Sequence, residues 1–285
     1  MRLITFDASY DPIAEESKTV RVYVFEPEKI ERNLIFLHGI GNGNIPYLLW
    51  FGEKFREYNI KTWFLILPYH EKRAPENWSG GEPFYHSSPS FCVKRFDEAV
   101  QDVIDLVDVV KRDNDKPISL MGFSFGGMIT TIALAREKRI EKGVICCSGG
   151  DWRWINWYSP YTERLRELYR KNGNEYGCRS EKDCIKNRRN APEIIKSFNS
   201  IEDIRKKPPV GCYFYDPASF APFVDQKVLF FWALFDHVIP YQSYACLHKL
   251  LKNKKTVYLP SGHKGSYFFR RYIAKRVVRF LIDDE

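Results

Sequence analysis

Short apolar segments alternate along the chain with stretches of helical periodicity. The strand candidates are apolar throughout rather than at every second residue, and they are 20–25, 34–38, 63–67, 118–121, 143–147, 228–235 and 256–259. Strands of this kind are typical of parallel sheets that are covered on both faces. The helix candidates have apolar residues at three- and four-residue spacing, and they are 47–58, 96–110, 127–138, 242–251 and 266–281. The alternation predicts an α/β fold with a mostly parallel, doubly wound sheet.

One segment interrupts this alternation. Residues 150–225 contain no clear strand pattern, and they are too long for a connecting loop. We therefore expect a core built from residues 1–149 and 226–285, with residues 150–225 forming a mostly helical, cap-like insertion over the end of the sheet.

Charge and hydropathy limit the class of partner. The 44 basic residues exceed the 36 acidic ones and give a net charge of +8, which favours acidic partners. However, the two signs are mixed along the chain, and no nucleic-acid-binding motif is present, so we do not expect nucleic acid as a partner.

The longest apolar run, 228–235, is far shorter than a membrane span, and the first ten residues lack a signal-peptide core. A cytoplasmic protein without a membrane span is predicted, and a homodimer remains open.

The cysteines do not indicate a disulfide framework. There are seven of them, an odd number, scattered along the chain. Cys178 and Cys184 bracket a short polar stretch, and their pairing stays open, although free thiols are expected in a cytosolic protein. No histidine and cysteine cluster has the spacing of a metal site, so we expect neither a metal nor another cofactor.

The segment SLMGFSFGGMIT at 119–130 contains the motif G-x-S-x-G, formed by Gly122, Ser124 and Gly126. The motif alone is common, but here a predicted buried strand precedes it and a predicted helix follows it. That setting is required for a nucleophile elbow, in which a tight turn exposes the serine at the end of a strand. Ser124 is therefore the predicted nucleophile.

A serine hydroxyl is nearly inert at neutral pH and needs a base, which in turn needs an orienting acid. His263 follows the strand candidate 256–259, at the edge of the sheet where sites of open α/β folds are built. Asp236 directly follows the strand candidate 228–235. We predict His263 as the base and Asp236 as the acid, with Asp151 as the alternative acid. His248 lies in a helical pattern and is assigned to packing or the surface.

A negatively charged intermediate would also need hydrogen-bond donors. The N–H of Phe125, directly after the nucleophile, is one predicted donor. Ile40, in the glycine-rich loop after the strand candidate 34–38, is the second, with Gly41 as the next choice. His38 is predicted to form structural hydrogen bonds rather than to transfer protons.

These motifs resemble those of α/β-hydrolase superfamily serine hydrolases, of the dienelactone-hydrolase-like and esterase-like branch, over most of the chain. HGIGNG corresponds to the oxyanion loop, GFSFGG to the elbow, and LFDHVIP and SGHKG to the segments of the acid and the base. The chain departs from dienelactone hydrolase itself, whose nucleophile is cysteine. The resemblance implies a carboxylesterase that forms an acyl-enzyme on Ser124. A peptidase, an acyltransferase and a non-catalytic binding protein of the same fold remain alternatives.

The predicted ligand is a small molecule of the ester type, and three residues are candidates for contact with it. Trp152 and Trp154 open the insertion, where they would either line an apolar pocket above Ser124 or anchor the insertion to the sheet. His70 follows the strand candidate 63–67 and would contact the substrate or brace its loop.

Overall fold

A computed structural model describes residues 1–282; residues 283–285, which end the predicted core segment 226–285, lie outside the described residues. The chain forms one eight-stranded sheet in the order β1-β2-β4-β3-β5-β6-β7-β8. Strands β3 to β8 are parallel, whereas β2 is antiparallel to both β1 and β4. The strands are Arg2–Asp7 (β1), Thr19–Phe25 (β2), Arg32–Leu37 (β3), Ile60–Ile66 (β4), Ile118–Phe123 (β5), Ile140–Cys146 (β6), Lys227–Ala233 (β7) and Lys254–Leu259 (β8).

Helices cover both faces of the sheet. They are Ile45–Arg56 (α1), Pro89–Asp113 (α2), Phe125–Arg136 (α3), Trp152–Tyr158 (α4), Glu163–Asn172 (α5), Glu181–Arg188 (α6), Ala191–Lys196 (α7), Ile201–Lys206 (α8), Pro217–Phe220 (α9), Tyr241–Leu250 (α10) and Arg270–Ile282 (α11). Alternate side chains of each central strand enter two separate hydrophobic clusters: Ile35 belongs to the cluster that contains residues of α2, α3 and α10, whereas Phe36 belongs to the one that contains residues of α1 and α11. The predicted α/β class with a mostly parallel sheet is confirmed.

Strand β1 was missed by the sequence analysis. It lies at the edge of the sheet, and its six residues are exposed or only partly buried. Only Ile4 and Phe6 are partly buried, and polar residues separate and flank them at Thr5 and Asp7, because an edge strand with one solvated face has no need of an apolar run. A search of the sequence for apolar runs therefore finds the buried central strands but not β1.

The segment between β6 and β7 is helical, as expected. Residues 147–226 are all described and contain the six helices α4 to α9 and no strand. Buried Asp216 ties the two ends of this segment together, because its carboxylate accepts the backbone N–H groups of Asp151 and Trp152 at 2.8 and 3.1 Å. It also lies 2.6 Å from the guanidinium of Arg188. The description of residues 150–225 as a cap-like unit stays a prediction at this point.

Two further expectations concern the thiols and the membrane. All seven cysteines, Cys178 and Cys184 included, are free thiols. Within residues 1–282, no helix combines the length and the apolar character needed to cross a bilayer. The cytoplasmic location and the homodimer remain predictions.

The topology determines where a site can form. Because β3 and β5 to β8 run parallel, the loops that follow them meet at one edge of the sheet. These loops contain Ile40, Ser124, Asp236 and His263.

Candidate active site

Ser124 lies in the tight turn between β5 and α3, in an unusual backbone conformation. Its φ of 52° and ψ of −116° are strained for a residue with a side chain. Its N–H donates to the carbonyl of Cys146 at 2.8 Å, and its own carbonyl accepts from Gly127 and Met128 in the first turn of α3. The turn thus directs the hydroxyl away from the core, toward the edge of the sheet.

The glycines around Ser124 allow backbone segments to approach closely. A Cβ atom on Gly122 would lie 2.2 Å from the carbonyl oxygen of Gly126, and one on Gly126 would lie 2.5 Å from the carbonyl oxygen of His38. Both distances are far below van der Waals contact, so any side chain at either position would push the strand and helix apart. This explains why the serine is flanked by glycines in the sequence.

The structure brings the three predicted catalytic residues into one hydrogen-bonded chain. His263 Nε2 lies 2.9 Å from Ser124 Oγ, and His263 Nδ1 lies 2.7 Å from Asp236 Oδ2. His263 precedes the 3-10 helix Lys264–Phe269, where Ser266 Oγ donates to the His263 carbonyl at 2.6 Å. These distances permit direct proton transfer between the serine and the imidazole.

The Asp236 carboxylate is held by four donors. Its Oδ1 accepts the backbone N–H groups of Val238 and Ile239 at 2.7 and 2.9 Å. Its Oδ2 accepts from His263 and from the hydroxyl of Tyr244, both at 2.7 Å. The side chain is only 1% exposed. The orientation of the carboxylate toward the imidazole is therefore fixed.

The other residues that were considered for the acid and the base lie elsewhere. Asp151 Oδ1 is 3.0 Å from the guanidinium of Arg188, and it accepts the N–H of Arg153 at the start of α4. His248 Nε2 lies 2.8 Å from the hydroxyl oxygen of Thr256. Among the described residues, the carboxylate in contact with His263 is that of Asp236.

The loop after β3 carries the second predicted oxyanion donor. The side chain of Asn44 holds this loop, because its amide donates to the carbonyls of Gly39 and Ile40 at 3.1 and 2.9 Å while its oxygen accepts the N–H of Gly39 at 3.0 Å. Within residues 1–282, the N–H groups of Ile40 and Phe125 have no hydrogen-bond partner. Two unpaired donors are thus available beside Ser124.

His38 contacts this loop from the protein core. It is fully buried, its Nδ1 lies 2.7 Å from the Gly39 carbonyl, and its Nε2 accepts the N–H of Leu67 at 3.0 Å. Burial lowers the pKa of His38 to about 4, so the ring is neutral at physiological pH. The ring makes the structural hydrogen bonds that the sequence analysis assigned to it.

A mainly apolar cavity, here called the inner cavity, opens beside Ser124. The space between its walls is about 620 Å³, open solvent at its mouth included. Most of its wall is aromatic or aliphatic, and it includes Phe84, Tyr85, Phe96, Phe125, Met128, Trp152, Ile155, Tyr161, Leu165, Tyr169 and Tyr215. Of these side chains, the sequence analysis had singled out Trp152 alone for substrate contact.

A second cavity, here called the outer cavity, lies on the other side of Ser124. It is wider and more polar, with about 1150 Å³ including open solvent. Ile40, Ser124 and Tyr161 line both cavities, whereas His263 and Lys264 line only the outer one. Among the described residues, no aspartate or glutamate lines either cavity.

Two predicted substrate contacts need correction. Trp154 lines neither cavity, because its ring packs on Tyr158 at 5.3 Å and beneath the guanidinium of Arg153. His70 is fully buried beneath the oxyanion loop, with its Nδ1 2.8 Å from the Pro68 carbonyl and its ring 4.8 Å from that of His38. The position of His70 after β4 placed it at the correct edge of the sheet, but its side chain points into the core.

Comparison with known proteins bears on the fold and the class of protein. A hydrolase family model described as "Serine aminopeptidase, S33" matches residues 86–214, which is less than half of the chain. A search of curated proteins found no significant match.

Many solved structures share the fold. Est1E from Butyrivibrio proteoclasticus, solved with ferulic acid, is 17% identical, with 93% of this chain and 95% of that chain covered and a TM-score of 0.59. A cold-adapted esterase from an Arctic intertidal metagenomic library is 14% identical, with 98% and 92% covered and a TM-score of 0.60. The acylaminoacyl peptidase of Pyrococcus horikoshii is 14% identical, with 98% and 40% covered and a TM-score of 0.62.

The strand order and these matches show that the chain has the α/β-hydrolase fold, and residues 86–214 are similar to a hydrolase family of that fold. The fold expected from the sequence is thereby confirmed, and the family match supports the resemblance to serine hydrolases. The three structures are only 14–17% identical to this chain, so they show the fold and not an activity.

Proposed function

We propose that the protein is a serine hydrolase that cleaves carboxylic esters through an acyl-enzyme on Ser124. The observation that supports this most directly is the continuous chain from Ser124 Oγ through His263 to Asp236, with contacts of 2.9 and 2.7 Å. The chain ends at the junction of two cavities, which we assign to the two halves of an ester.

Acylation begins when Ser124 Oγ attacks the ester carbonyl carbon while His263 Nε2 removes the hydroxyl proton. The carbonyl oxygen becomes an oxyanion, which the N–H groups of Ile40 and Phe125 stabilise, each by about 3 kcal/mol. Asp236 holds the imidazole in the reactive tautomer and stabilises its charged form. The bond to the leaving oxygen then breaks, and His263 returns the proton to that oxygen.

Deacylation repeats these steps with water. His263 removes a proton from a water molecule, the hydroxide attacks the acyl carbon, and the same two donors stabilise the second oxyanion. Ser124 Oγ leaves and recovers its proton from His263. The products are the free acid and the regenerated serine, and the proposed cycle draws on side chains and backbone groups alone.

The inner cavity supports a cap role for the insertion. Trp152, Ile155, Tyr161, Leu165 and Tyr215 all belong to residues 150–225 and form part of its wall. We infer that this segment acts as a cap that excludes water from the acyl group. Trp152 would contact that group directly.

A peptidase of the same fold is the second candidate, favoured by the description of the matched family and by the acylaminoacyl peptidase among the structural neighbours. An aminopeptidase must bind the free ammonium of its substrate, and carboxylates usually provide that contact. Among the described residues, neither cavity is lined by an aspartate or glutamate. The lining therefore favours an ester without a free amino group.

The test measures hydrolysis of p-nitrophenyl butyrate and hexanoate beside alanine and leucine p-nitroanilides, in the wild type and in Ser124→Ala. We expect ester turnover that is lost in the variant, and little or no release of nitroaniline. Faster cleavage of the anilides would favour the peptidase. Ester turnover that persists in Ser124→Ala, or no turnover of any substrate, would contradict the proposal and favour a binding protein of the same fold.

A further inference from the structure

The two cavities differ in their access to the base, and this determines how a substrate would be oriented. His263 Nε2 must deliver a proton to the leaving oxygen, so the leaving group has to lie within reach of that ring. His263 lines the outer cavity but not the inner one. The leaving group therefore occupies the outer cavity, and the acyl group occupies the inner cavity.

The outer cavity also differs in polarity. A larger share of its lining surface is polar than in the inner cavity, and its hydroxyl and amide side chains are Asn44, Tyr47, Tyr161, Ser266 and Tyr267. Such groups offer hydrogen bonds to a polar partner, whereas the inner cavity offers mainly apolar contact. The lining of the outer cavity therefore suits a polar leaving group, and the lining of the inner cavity suits an apolar acyl group.

Lys264 adds a positive charge to the outer cavity. It follows His263 directly, it is exposed, and its Nζ lies 5.8 Å from the centroid of the Tyr161 ring. The same ring is 6.4 Å from that of His263, so the ammonium and the imidazole lie beside one aromatic side chain. The guanidinium of Arg270, 4.5 Å from the centroid of Tyr267, adds to the positive potential at this rim.

Among the residues that the structure describes, no carboxylate pairs with Lys264. Within residues 1–282, no aspartate or glutamate oxygen lies within 4 Å of its Nζ, and none lines the cavity. Lys264 differs in this respect from Lys138, which pairs with Asp225 at 2.9 Å, and from Lys207, which pairs with Asp203 at 2.7 Å. An uncompensated cation at the rim of a polar cavity favours an anionic ligand.

We propose that Lys264 determines leaving-group specificity by binding a carboxylate on the alcohol or phenol half of the ester. A single lysine matches one negative charge, whereas a phosphate dianion is commonly held by several donors. This inference rests on the proposed function, because it assumes that His263 protonates the leaving group.

The experiment compares hexanoyl esters of two phenols of the same shape. One is 4-hydroxybenzoate, whose carboxylate is negative at pH 7.5, and the other is 4-hydroxybenzamide, which is neutral. The readout is the ratio of their kcat/KM values, measured in the wild type, Lys264→Gln and Lys264→Glu. The control is Lys252→Gln, which removes the same charge from an exposed lysine before β8, at the opposite edge of the sheet.

We expect the wild type to favour the carboxylate ester by about two- to fivefold, as is usual for a charge pair at a solvated rim. Lys264→Gln should lose that preference and Lys264→Glu should reverse it, while Lys252→Gln keeps the wild-type ratio. A ratio that is the same in the wild type and both Lys264 variants would overturn the proposal.

A second substrate pair tests the orientation. In p-nitrophenyl glutarate monoester the carboxylate is on the acyl half, and p-nitrophenyl pentanoate is its neutral counterpart. We expect Lys264→Gln to leave the ratio of the kcat/KM values for this pair unchanged. If Lys264→Gln changes this ratio more than it changes the ratio for the hydroxybenzoate pair, the assignment of the two cavities is overturned. Failure of the proposed function gives a different result, because hydrolysis of all four esters would then persist in Ser124→Ala or be absent from the wild type.

Discussion

Tyr244 donates its hydroxyl proton to Asp236 Oδ2 at 2.7 Å, the same oxygen that contacts His263 Nδ1. Tyr244 is buried in helix α10, and burial, with Cys147 and Asp236 nearby, raises its pKa well above 10. Its hydroxyl therefore remains a donor throughout the working pH range. It draws negative charge away from the side of the carboxylate that faces the imidazole.

Removing this hydroxyl should change the pH dependence of catalysis. In Tyr244→Phe the carboxylate keeps more of its negative charge toward His263, so the imidazolium is more strongly stabilised. We expect the pH profile of kcat/KM for p-nitrophenyl hexanoate to differ from that of the wild type.

Tyr241→Phe provides the matched control for that experiment. Tyr241 lies in the same helix but is 67% exposed, and its profile should follow the wild type. A Tyr244→Phe profile that coincides with the wild type, in a protein with unchanged unfolding free energy, would show that the hydroxyl has no influence on the base.

The acid can be assigned by two single substitutions. Asp236→Asn removes the charge beside His263 and favours the wrong tautomer, so kcat should fall by about 10³- to 10⁴-fold. Asp151→Asn removes one ion-pair partner of buried Arg188, which should lower the free energy of unfolding while ester turnover stays within about tenfold of the wild type. Steady-state kinetics and urea unfolding measure both effects, and the reverse pattern would assign the acid to Asp151.

The elbow should not tolerate a methyl group at Gly122. Its Cβ would lie 2.2 Å from the Gly126 carbonyl oxygen, so Gly122→Ala should lower the free energy of unfolding by about 2 kcal/mol or more. Gly43→Ala is the control, because no atom lies within 4 Å of the corresponding Cβ position. Equal urea midpoints for the two variants would contradict the close approach of strand and helix.

His38 should make the protein less stable in mild acid. Its pKa is about 4 in the folded protein and near 6.5 in an unfolded chain, so between these values the unfolded state binds the additional proton. The free energy of unfolding should therefore fall as the pH is lowered from 6.5 to 4, by up to about 3 kcal/mol from this residue. Burial also lowers the pKa of His70, which acts in the same direction.

The variant His38→Gln separates this contribution from that of other groups. It removes one titrating group, so its loss of stability between pH 7.5 and pH 4.5, measured by urea unfolding, should be smaller than that of the wild type. Parallel curves for the two proteins would show that His38 does not titrate as the structure indicates.

The central strands and the meeting of Ser124, Asp236 and His263 could be predicted because topology determines them. Ser124 directly follows β5, and Asp236 and His263 lie within four residues of the ends of β7 and β8; parallel strands of this kind end at a common edge. The alternation of strand and helix is a local pattern, so it can be read without knowledge of distant contacts. This is why three residues far apart in the chain could be assigned to one site.

The cavity walls could not be predicted in the same way. Tyr85, Tyr161 and Tyr215 come from separate loops and helices, and they meet only because the insertion packs over the sheet. No periodicity in the sequence encodes that packing. His70 shows the same limit, since its place after a strand identifies the edge of the sheet but not the direction of its side chain.

The central claim is that His263 and Asp236 activate Ser124 as a nucleophile. The most direct measurement is the rate at which a fluorophosphonate probe labels the protein, with the modified residue identified by peptide mass spectrometry. We predict a single adduct on the peptide that contains Ser124, formed at least 100-fold more slowly in His263→Ala. An adduct on another residue, or equal labelling rates in the wild type and His263→Ala, would contradict the account.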